Sequence, residues 1–495
     1  MKLATSIACA VLVGLAACSL PAQETADEPP SSRSPRELLE PFGIDESFFS
    51  GFADDRPLEG DQREKLLVLI YRMRRMGPQT LEEVSTPPRG IGLIGPSPAE
   101  FRGDVYLVPG LVKYVSREEL TPELREKFQF DALYRCEMSI LFGARITLYT
   151  STIPAAWKLD RPIDQYARAR AMFVKILAPR AVDSPAADAE GNEDPGATQR
   201  SLLFVAPRVA WYPRSLLGRL RMDVGLFDDV RDRAPLDERE CFYQLLAAVR
   251  RAKDGQIERA GREVLAERRD FLERLARNRE LGPKAHAAAE RALARADENA
   301  DDVVPLFNEP AEQRGKLFVL TGEALRAVEV RVDDADIRER FGIDHYYEVD
   351  LVTANSQNNP VVCCVAQLPP QMPLGESIHE NVRVTGFFLK SWAFDSRKSS
   401  LAESPPGKAS RRQLAPLLVA RTVQVVEPPE FGPPNLTLVA GLVVAVVVFA
   451  FLMWQMRRGD RQALAAAEGN DASLPPGIAL DELDLASGES GSDGP

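Results

Sequence analysis

Residues 382–392 read VRVTGFFLKSW, and residues 167–177 read ARARAMFVKIL. Aligned one over the other without a gap, the stretches match an arginine, a phenylalanine and a lysine, Lys390 falling on Lys175. Similarity at a fixed spacing indicates a repeat architecture, because a duplicated unit keeps the order of its elements. The same strand is therefore expected to occur twice in the chain.

The similarity extends to both sides of this strand. Residues 102–110, RGDVYLVPG, align with residues 314–322, RGKLFVLTG. Further upstream, residues 63–75 align with residues 239–251. The interval between these two stretches is longer in the second copy, which is thus predicted to carry an insertion within the segment 255–302. A helical apolar stripe and a Gly-Pro break there indicate a helical hairpin.

Each copy shows a helical stretch and then about five strand-like runs, which are rich in Val, Tyr, Phe and Thr and bounded by turn residues. The runs lie near 104–115, 133–141, 145–153, 167–178 and 201–212 in the first copy, and near 316–331, 345–354, 360–368, 381–394 and 415–426 in the second. Gly110 and Gly322 fall inside the first run of each copy, where a glycine indicates a bulge that bends the strand.

Five strands, a bent first strand and about 110 residues resemble the OB-fold, a small five-stranded barrel. The resemblance covers residues 101–213 and 306–428 and implies OB-fold-like β-barrel repeats of a bacterial envelope protein. Another small barrel or a β-sandwich fits the same pattern of runs.

The predicted fold is α+β: a tandem duplication of a helical segment plus a five-stranded OB-like β-barrel, followed by a single transmembrane helix. The predicted segments are a signal peptide (1–22), a polar stem with the helical segment of repeat 1 (23–100), barrel 1 (101–213), the helical segment of repeat 2 with its hairpin insertion (225–305), barrel 2 (306–428), the transmembrane helix (436–454) and an acidic tail (455–495).

The amino terminus has the pattern of a secretory signal peptide. Residues 1–22 combine a lysine with an apolar stretch too short for an ordinary span. Cleavage by signal peptidase near Ala22 is one interpretation. In the other, residues 15–18, LAAC, resemble a bacterial lipobox, and Cys18 is lipidated and becomes the new amino terminus.

A second apolar segment lies near the carboxyl terminus. Residues 436–454, LTLVAGLVVAVVVFAFLMW, approach the roughly 20 apolar residues that a transmembrane helix needs. Arg457, Arg458 and Arg461 follow directly, and positive residues favour the cytoplasmic side. The pattern predicts a single-pass protein of the cytoplasmic (inner) membrane, with its bulk periplasmic and a disordered acidic tail, 455–495, in the cytoplasm.

Net charge limits the choice of partners. The chain carries 61 basic and 73 acidic side chains, a net charge of −12. Nucleic-acid-binding proteins derive much of their affinity from basic patches on phosphate, so no nucleic acid partner is predicted. The predicted partners are the membrane and an envelope protein or polymer. Gly441 and Ala445 have the spacing of self-associating spans, so a homo-oligomer is a further alternative.

The sequence lacks several motifs that mark catalytic and metal sites. It contains no G-x-S-x-G, Walker A or H-E-x-x-H motif, and its three histidines are not spaced as metal ligands. No metal or cofactor is predicted. The six cysteines form no C-x-x-C pair. Cys363 and Cys364 are interpreted as small apolar strand residues, and a disulfide from Cys136 to one of them is the alternative.

Lys175 and Lys390 are the candidate site residues, because both copies contain them. The neighbouring arginines are expected to face water, so Lys175 falls on the inward-facing parity at the strand's end. A lysine there can lay its stem along apolar residues and place its ammonium at the barrel rim. Glu137 and Asp350, also equivalent between the copies, are the predicted ion-pair partners. A rim ion pair is preferred over a ligand contact.

The predicted function is that of a non-catalytic, membrane-anchored cell-envelope protein that binds or scaffolds through two extracytoplasmic β-barrel repeats. The alternative is a single-pass sensor or assembly component that signals through its short cytoplasmic tail. An envelope hydrolase without a recognisable motif is the third interpretation, since catalytic groups brought together by folding leave no local pattern. No catalytic, cofactor-binding or metal-binding residue is predicted.

Overall fold

The structure, a computed structural model, describes residues 34–140, 144–178, 200–278, 280, 282–296, 300–395, 412–426, 444 and 447–454. The chain divides into two units, residues 1–426 and residues 427–495, and the described sheets belong to the first. The predicted signal peptide, with its candidate lipidation residue Cys18, lies outside the described residues, as does the predicted tail 455–495.

The carboxyl-terminal unit contains described helical residues within the predicted span. Val444 and residues 447–454 are helical, and the rest of the predicted span 436–454 lies outside the described part of the chain. No helix formed by the described residues is long and apolar enough to cross a membrane. This finding overturns the predicted transmembrane helix, and with it the single-pass inner-membrane placement and the membrane as a partner. Apolar composition, on which that prediction rested, does not establish a helix of the required length, about 20 residues.

The first repeat combines short helices with one long helix and six strands. Its helices are α1 (Pro35–Leu39), α2 (Glu46–Ser50), α3 (Gly60–Glu83), α4 (Pro98–Phe101) and α5 (Pro122–Phe128). Its strands are β1 (Val105–Glu119), β2 (Ala132–Ser139), β3 (Arg145–Thr150), β4 (Pro162–Leu177), β5 (Ser201–Ala206) and β6 (Ala210–Trp211). Helix α3 is kinked at Gly77, whose φ is 78°.

The second repeat has the same order of elements with two longer helices inserted. Its helices are α6 (Leu216–Arg219), α7 (Arg239–Arg251), α8 (Gln256–Arg277), α9 (Pro283–Arg295), α10 (Val304–Asn308), α11 (Pro310–Gln313) and α12 (Ala335–Phe341). Its strands are β7 (Leu317–Arg331), β8 (His345–Thr353), β9 (Val361–Val365), β10 (Glu380–Asp395) and β11 (Arg412–Val425).

Each set of strands closes on itself. In the first repeat the order is β1, β2, β3, β5 and β4. Strand β4 also pairs with β1, and the short β6 pairs antiparallel with β4. In the second repeat the order is β7, β8, β9, β11 and β10, and β10 pairs with β7. In each repeat the third and fifth strands are parallel. The fold is thus mixed α+β with two sheets, and both are consistent with OB-like barrels.

The first strand of each barrel bends at a bulge. The pairing register shifts at Lys113 in β1 and at the equivalent Leu325 in β7, just beyond the glycines at which a bulge was expected. Gly110 has a different role, because a Cβ atom there would lie 2.9 Å from the carbonyl oxygen of Ser139. The glycine therefore permits close approach of two strands, and the next residues bend the strand.

Each barrel has an apolar layer inside and another on its outer wall. In the first repeat the inner layer includes Tyr106, Cys136, Phe173 and Phe204, all at most 2% exposed. The outer layer packs the wall against α3, and α7 has the same role in the second repeat. Burial of one large apolar side chain stabilises a fold by about 1.5–3 kcal/mol. The helical segment is therefore part of each repeat's core.

Arg340 connects the two repeats. It lies on α12, and its 9% exposed side chain pairs with Glu82 of α3 at 3.2 Å, Glu240 of α7 at 2.7 Å and Asp336 of α12 at 3.3 Å. Glu82 also pairs with Arg170 of β4 at 3.0 Å. A planar guanidinium can bind several carboxylates at once. Arg340 therefore holds the end of α3 against the helices of the second repeat.

Replacement of Arg340 with methionine should destabilise the junction. Removing one partner of a largely buried ion network leaves carboxylates without compensation, and the expected loss is about 3 kcal/mol in the free energy of unfolding. Urea unfolding followed by circular dichroism measures it. Arg338→Met, an exposed position on the same helix, is the control and should cost less than about 0.5 kcal/mol. Equal effects of the two substitutions would contradict the role of Arg340.

Candidate functional site

The repeated lysines lie at a second bulge, near the end of the fourth strand of each barrel. The register shifts between Phe173 and Lys175 in β4, and between Phe388 and Lys390 in β10. A bulge inserts one residue and so reverses the facing of the side chains beyond it. Both lysines point towards the helical segment of their repeat, in contrast to the inward-facing parity expected for Lys175.

In the second repeat the lysine forms a buried ion pair. The Lys390 ammonium donates to the two carboxylate oxygens of Glu238 at 2.8 and 3.0 Å and to the carbonyl oxygen of Pro235 at 2.8 Å. All three of its donors are thus satisfied, as a fully buried ammonium requires. Burial acts to raise the pKa of Glu238, but hydrogen bonds from Lys390 and from a backbone N–H hold it below its ordinary value.

In the first repeat a glutamine replaces that glutamate. Gln62 is equivalent to Glu238 in the alignment of the helices. The ammonium of Lys175 is 3.4 Å from the Gln62 side-chain oxygen and 3.4 Å from the carbonyl oxygen of Pro57. The lysine is fully buried, and burial lowers its pKa below 10.5, although the charges of Asp54 and Glu59 act in the opposite direction.

In both repeats an aspartate connects the end of the fourth strand to the segment that precedes the long helix. Asp54 accepts the backbone N–H of Ile176 at 2.8 Å, and Asp232 accepts that of Ser391 at 2.9 Å. Each aspartate also pairs with the arginine that precedes the first strand, Arg102 or Arg314; these four charged side chains are at most 23% exposed. Sequence analysis missed both aspartates, although DDRP at 54–57 and DRAP at 232–235 are similar and precede the aligned helices.

The residue that follows each of these aspartates has a left-handed backbone conformation. Asp55 has a φ of 55° and Arg233 a φ of 57°, values that few residues other than glycine adopt. In this conformation the Asp55 N–H donates to the carbonyl oxygen of Ile176 at 3.0 Å, and the Arg233 N–H to that of Ser391 at 2.7 Å. A strained conformation persists where surrounding contacts over-determine it. The hydrogen bonds between this segment and the strand end therefore hold the same unfavourable backbone conformation in both repeats.

The predicted acidic partners lie elsewhere. Glu137 pairs with Arg135 at 2.9 Å, and Asp350 approaches Arg326 at 3.7 Å. The structure therefore does not bring the four predicted rim positions together in one site. Lys175 and Lys390, at 0% exposure, are enclosed in the framework.

The described cysteines are all free thiols in the apolar core, so the alternative of a disulfide from Cys136 is wrong. Burial raises the pKa of Cys136 and Cys363 to about 12, which keeps both protonated near neutral pH. In the part of the chain that the structure describes, no group of three or more His, Cys, Asp or Glu residues could hold a metal ion.

One glycine motif escaped the sequence analysis. Residues 90–95, GIGLIG, match the pattern G-x-G-x-x-G. A dinucleotide site requires that pattern between a strand and the start of a helix. Here it overlaps a 3₁₀ helix, Pro88–Leu93, that lies between α3 and α4. The local structure therefore does not have the strand–turn–helix context of such a site.

A cleft opens between α8 and the wall of the second barrel. Its volume is about 450 Å³. It is lined on the α8 side by Glu258, Arg262, Leu265, Ala266 and Arg269, and on the barrel side by Val319, Arg383, Thr385 and Gln424. Gly261 allows α8 to pack closely against the barrel, because a Cβ atom there would lie 2.6 Å from Thr385 and 2.8 Å from Val319.

The cleft contains one carboxylate and three guanidinium groups. Glu258 is 8% exposed, and its Oε2 has no hydrogen-bond partner among the described residues. Arg269 pairs with Glu273 at 3.3 Å, and Arg383 donates to the Thr321 hydroxyl at 3.5 Å. The cleft is therefore positively charged overall, with a buried acceptor on one wall.

The cleft exists because the second helix is longer in the second repeat. Gly77 and Gly255 lie two positions apart in the alignment of the helices, and both have positive φ values before the next helical segment begins. After Gly77 the helix ends at Glu83, whereas α8 continues to residue 277 and α9 returns. Asp301 fixes this hairpin: it pairs with Arg268, and its carboxylate accepts the Val319 N–H at 2.7 Å.

Comparisons with known proteins identify no family. No family model matches the chain, and no curated protein matches it. Among solved structures the chain is similar to a deletion mutant of the single-stranded DNA-binding protein from Thermus aquaticus, with 8% identity and a TM-score of 0.14 over 66% of this chain and 96% of that chain. A TM-score at this level carries no argument about fold or function.

The exclusion of nucleic acid is withdrawn. The net charge that carried the exclusion is unevenly distributed along the chain. Residues 459–495 contain eight acidic side chains and one basic one, which is more than half of the net charge of −12.

The two lysines should respond differently to replacement by methionine. Lys390→Met leaves Glu238 buried without its partner, and the expected loss is about 3–5 kcal/mol in the free energy of unfolding. Lys175→Met removes a buried charge that has only neutral acceptors, so the expected change is below about 1 kcal/mol. Chemical unfolding of both variants at one pH measures the difference. Similar losses in the two variants would contradict this account.

Gln62→Glu should convert the first repeat to the ion pair of the second. Because the pKa of Lys175 is lowered in the folded state, the unfolded chain binds more protons, and stability rises as pH increases towards 10.5. A glutamate at position 62 should raise that pKa and flatten the rise. Unfolding measured from pH 7 upwards tests this, and Gln371→Glu, at an exposed position, is the control. An unchanged slope in Gln62→Glu would refute it.

Proposed function

We propose that this chain is a non-catalytic binding and scaffolding protein in which two OB-like barrels form one framework and the second repeat carries the ligand site. The observation that carries the proposal is the cleft between α8 and the second barrel. Ligand sites are concave and combine apolar walls with a few placed polar groups. This cleft has that composition, and the short continuation of α3 does not build an equivalent one in the first repeat.

The rest of the framework supports a scaffolding role. The buried lysines and thiols, which could serve in nucleophilic or acid–base chemistry, are enclosed in the core or in internal contacts. The Arg340 network connects the two repeats through carboxylates on three helices. A sensor that signals through the tail 455–495 stays a prediction, because that tail lies outside the described residues. An unrecognised hydrolase also stays a prediction, which the following experiment addresses.

Gly261→Leu should abolish binding at the cleft without unfolding the barrels, because the added side chain forces α8 away from Thr385 and Val319. A ligand-observed NMR screen of small polar molecules against the full chain measures binding. Ala288→Leu adds the same side chain at an exposed position of α9 and is the control. We expect the screen to find ligands that bind the wild type and the control but not Gly261→Leu. These ligands should be chemically unchanged after incubation with the protein.

Two results would contradict the proposed function. One is chemical conversion of a bound molecule that a single side-chain substitution abolishes. The other is a set of ligands whose binding does not depend on Gly261, since the cleft would then not be the site. Circular dichroism of both variants confirms that the barrels remain folded.

A further inference from the structure

We propose that the α8 cleft binds a small hydroxylated organic anion, such as a sugar phosphate or a sugar acid. The proposal rests on the binding function proposed above and names the chemical class of its ligand. Three features of the cleft carry it: the face that α8 presents, the buried carboxylate of Glu258, and the arginines around it.

One face of α8 supplies one wall of the cleft. Glu258, Arg262, Leu265 and Arg269 follow one another at intervals of three or four positions, and such positions lie above one another on a helix. All four residues line the cleft. Gly261 lies within this stretch and brings the helix backbone against the barrel. The polar groups of this face are therefore held at a fixed distance from the strands opposite.

Glu258 requires a hydrogen-bond donor. Its side chain is buried at 8% exposure, and Oε2 lacks a partner in the part of the chain that the structure describes. A buried acceptor without a partner keeps the full desolvation penalty of its polar group. Buried polar groups without partners are rare in folded proteins, and each requires an explanation. A ligand hydroxyl or amino group entering the cleft would supply the donor.

Arg262 and Arg383 are available to bind an anion. Arg262 has no ion-pair partner among the described residues, and Arg383 donates only a long hydrogen bond, 3.5 Å, to Thr321. Guanidinium groups bind carboxylate and phosphate oxygens with two parallel hydrogen bonds. Arg269 is already paired with Glu273, so Arg262 and Arg383 are set against the one negative charge of Glu258. A ligand with a negative charge balances this excess.

The remaining walls suit a hydroxylated body. Thr385 and Gln424 add a hydroxyl and an amide, while Leu265 and Val319 provide apolar surface for the C–H groups of a sugar ring. The volume of about 450 Å³ lies within the range, roughly 300–1,000 Å³, of small-molecule sites. The ligand class follows from this combination: an anionic group for the arginines and a donor for Glu258 on one small molecule.

Isothermal titration calorimetry on the full chain tests the proposal with a matched set of probes. Glucose 6-phosphate carries the charge and the donors, methyl phosphate the charge without the sugar, and glucose the donors without charge. Glucuronate replaces phosphate by carboxylate and so distinguishes the two sources of negative charge. We expect glucose 6-phosphate or glucuronate to bind at least about tenfold more tightly than methyl phosphate or glucose, since one charged hydrogen bond contributes about that factor.

Substitutions separate the roles of the residues. Glu258→Gln should weaken the sugar anion at least about tenfold while leaving methyl phosphate unchanged or tighter, because the substitution removes a negative charge. Arg262→Gln and Arg383→Gln should weaken both anions. Arg259→Gln, an exposed position on α8 that does not line the cleft, makes the same change in charge and should have no effect.

The outcomes distinguish this proposal from the broader one. Weak or absent binding of all four probes, together with other ligands that depend on Gly261, overturns the ligand class and leaves the binding function intact. Absence of any Gly261-dependent ligand overturns both. Equal losses with Arg259→Gln and Arg262→Gln would show a general electrostatic effect and also overturn the proposal. So would parallel weakening of methyl phosphate and the sugar anion by Glu258→Gln.

Discussion

A half-buried carboxylate holds the helical segment of each repeat against the end of its longest strand. Asp54 and Asp232 each accept a backbone N–H beyond a strand bulge, and each pairs with the arginine that precedes the first strand. A charge-assisted hydrogen bond to a buried backbone group is stronger than a neutral one. Three segments of the chain, namely the start of the helical segment, the first strand and the fourth strand, are thereby fixed together, and the long helix can cover the barrel wall.

The buried lysine beside this aspartate has different partners in the two repeats. Lys390 has a glutamate at its ammonium, whereas Lys175 has Gln62, whose amide also donates to the carbonyl oxygen of Gly51 at 2.8 Å. A buried ion pair is stable only when its charges and remaining donors are matched. The second repeat meets that condition. The first repeat replaces the acid with a neutral acceptor, and the lysine's pKa falls.

The second repeat differs more at its surface than in its framework. A glycine with a positive φ, Gly77 or Gly255, follows the first long helical stretch of each repeat, and among the described residues only the second repeat continues into the α8–α9 hairpin. The hairpin docks through Gly261 and Asp301 and leaves a polar cleft beside the barrel. The binding site proposed here thus lies in the element that one repeat adds. The amino-terminal turn of α8 also enters the core of the second repeat through Ile257, so the hairpin is fixed to the framework beneath it.

The amino-acid pattern alone was sufficient to identify the repeated strand, the equivalent helices, the extra hairpin and two sheets consistent with OB-like barrels, because periodicity and spacing are local properties. It failed at the apolar segment 436–454, where composition did not establish a helix long enough to span a membrane. It also failed for Lys175, since one bulged residue reverses which way a side chain points. The lysines' partners lie 113 and 152 residues away in the chain, and the walls of the cleft come from α8 and three strands. Contacts between such distant segments arise when the chain folds, and no local pattern encodes them.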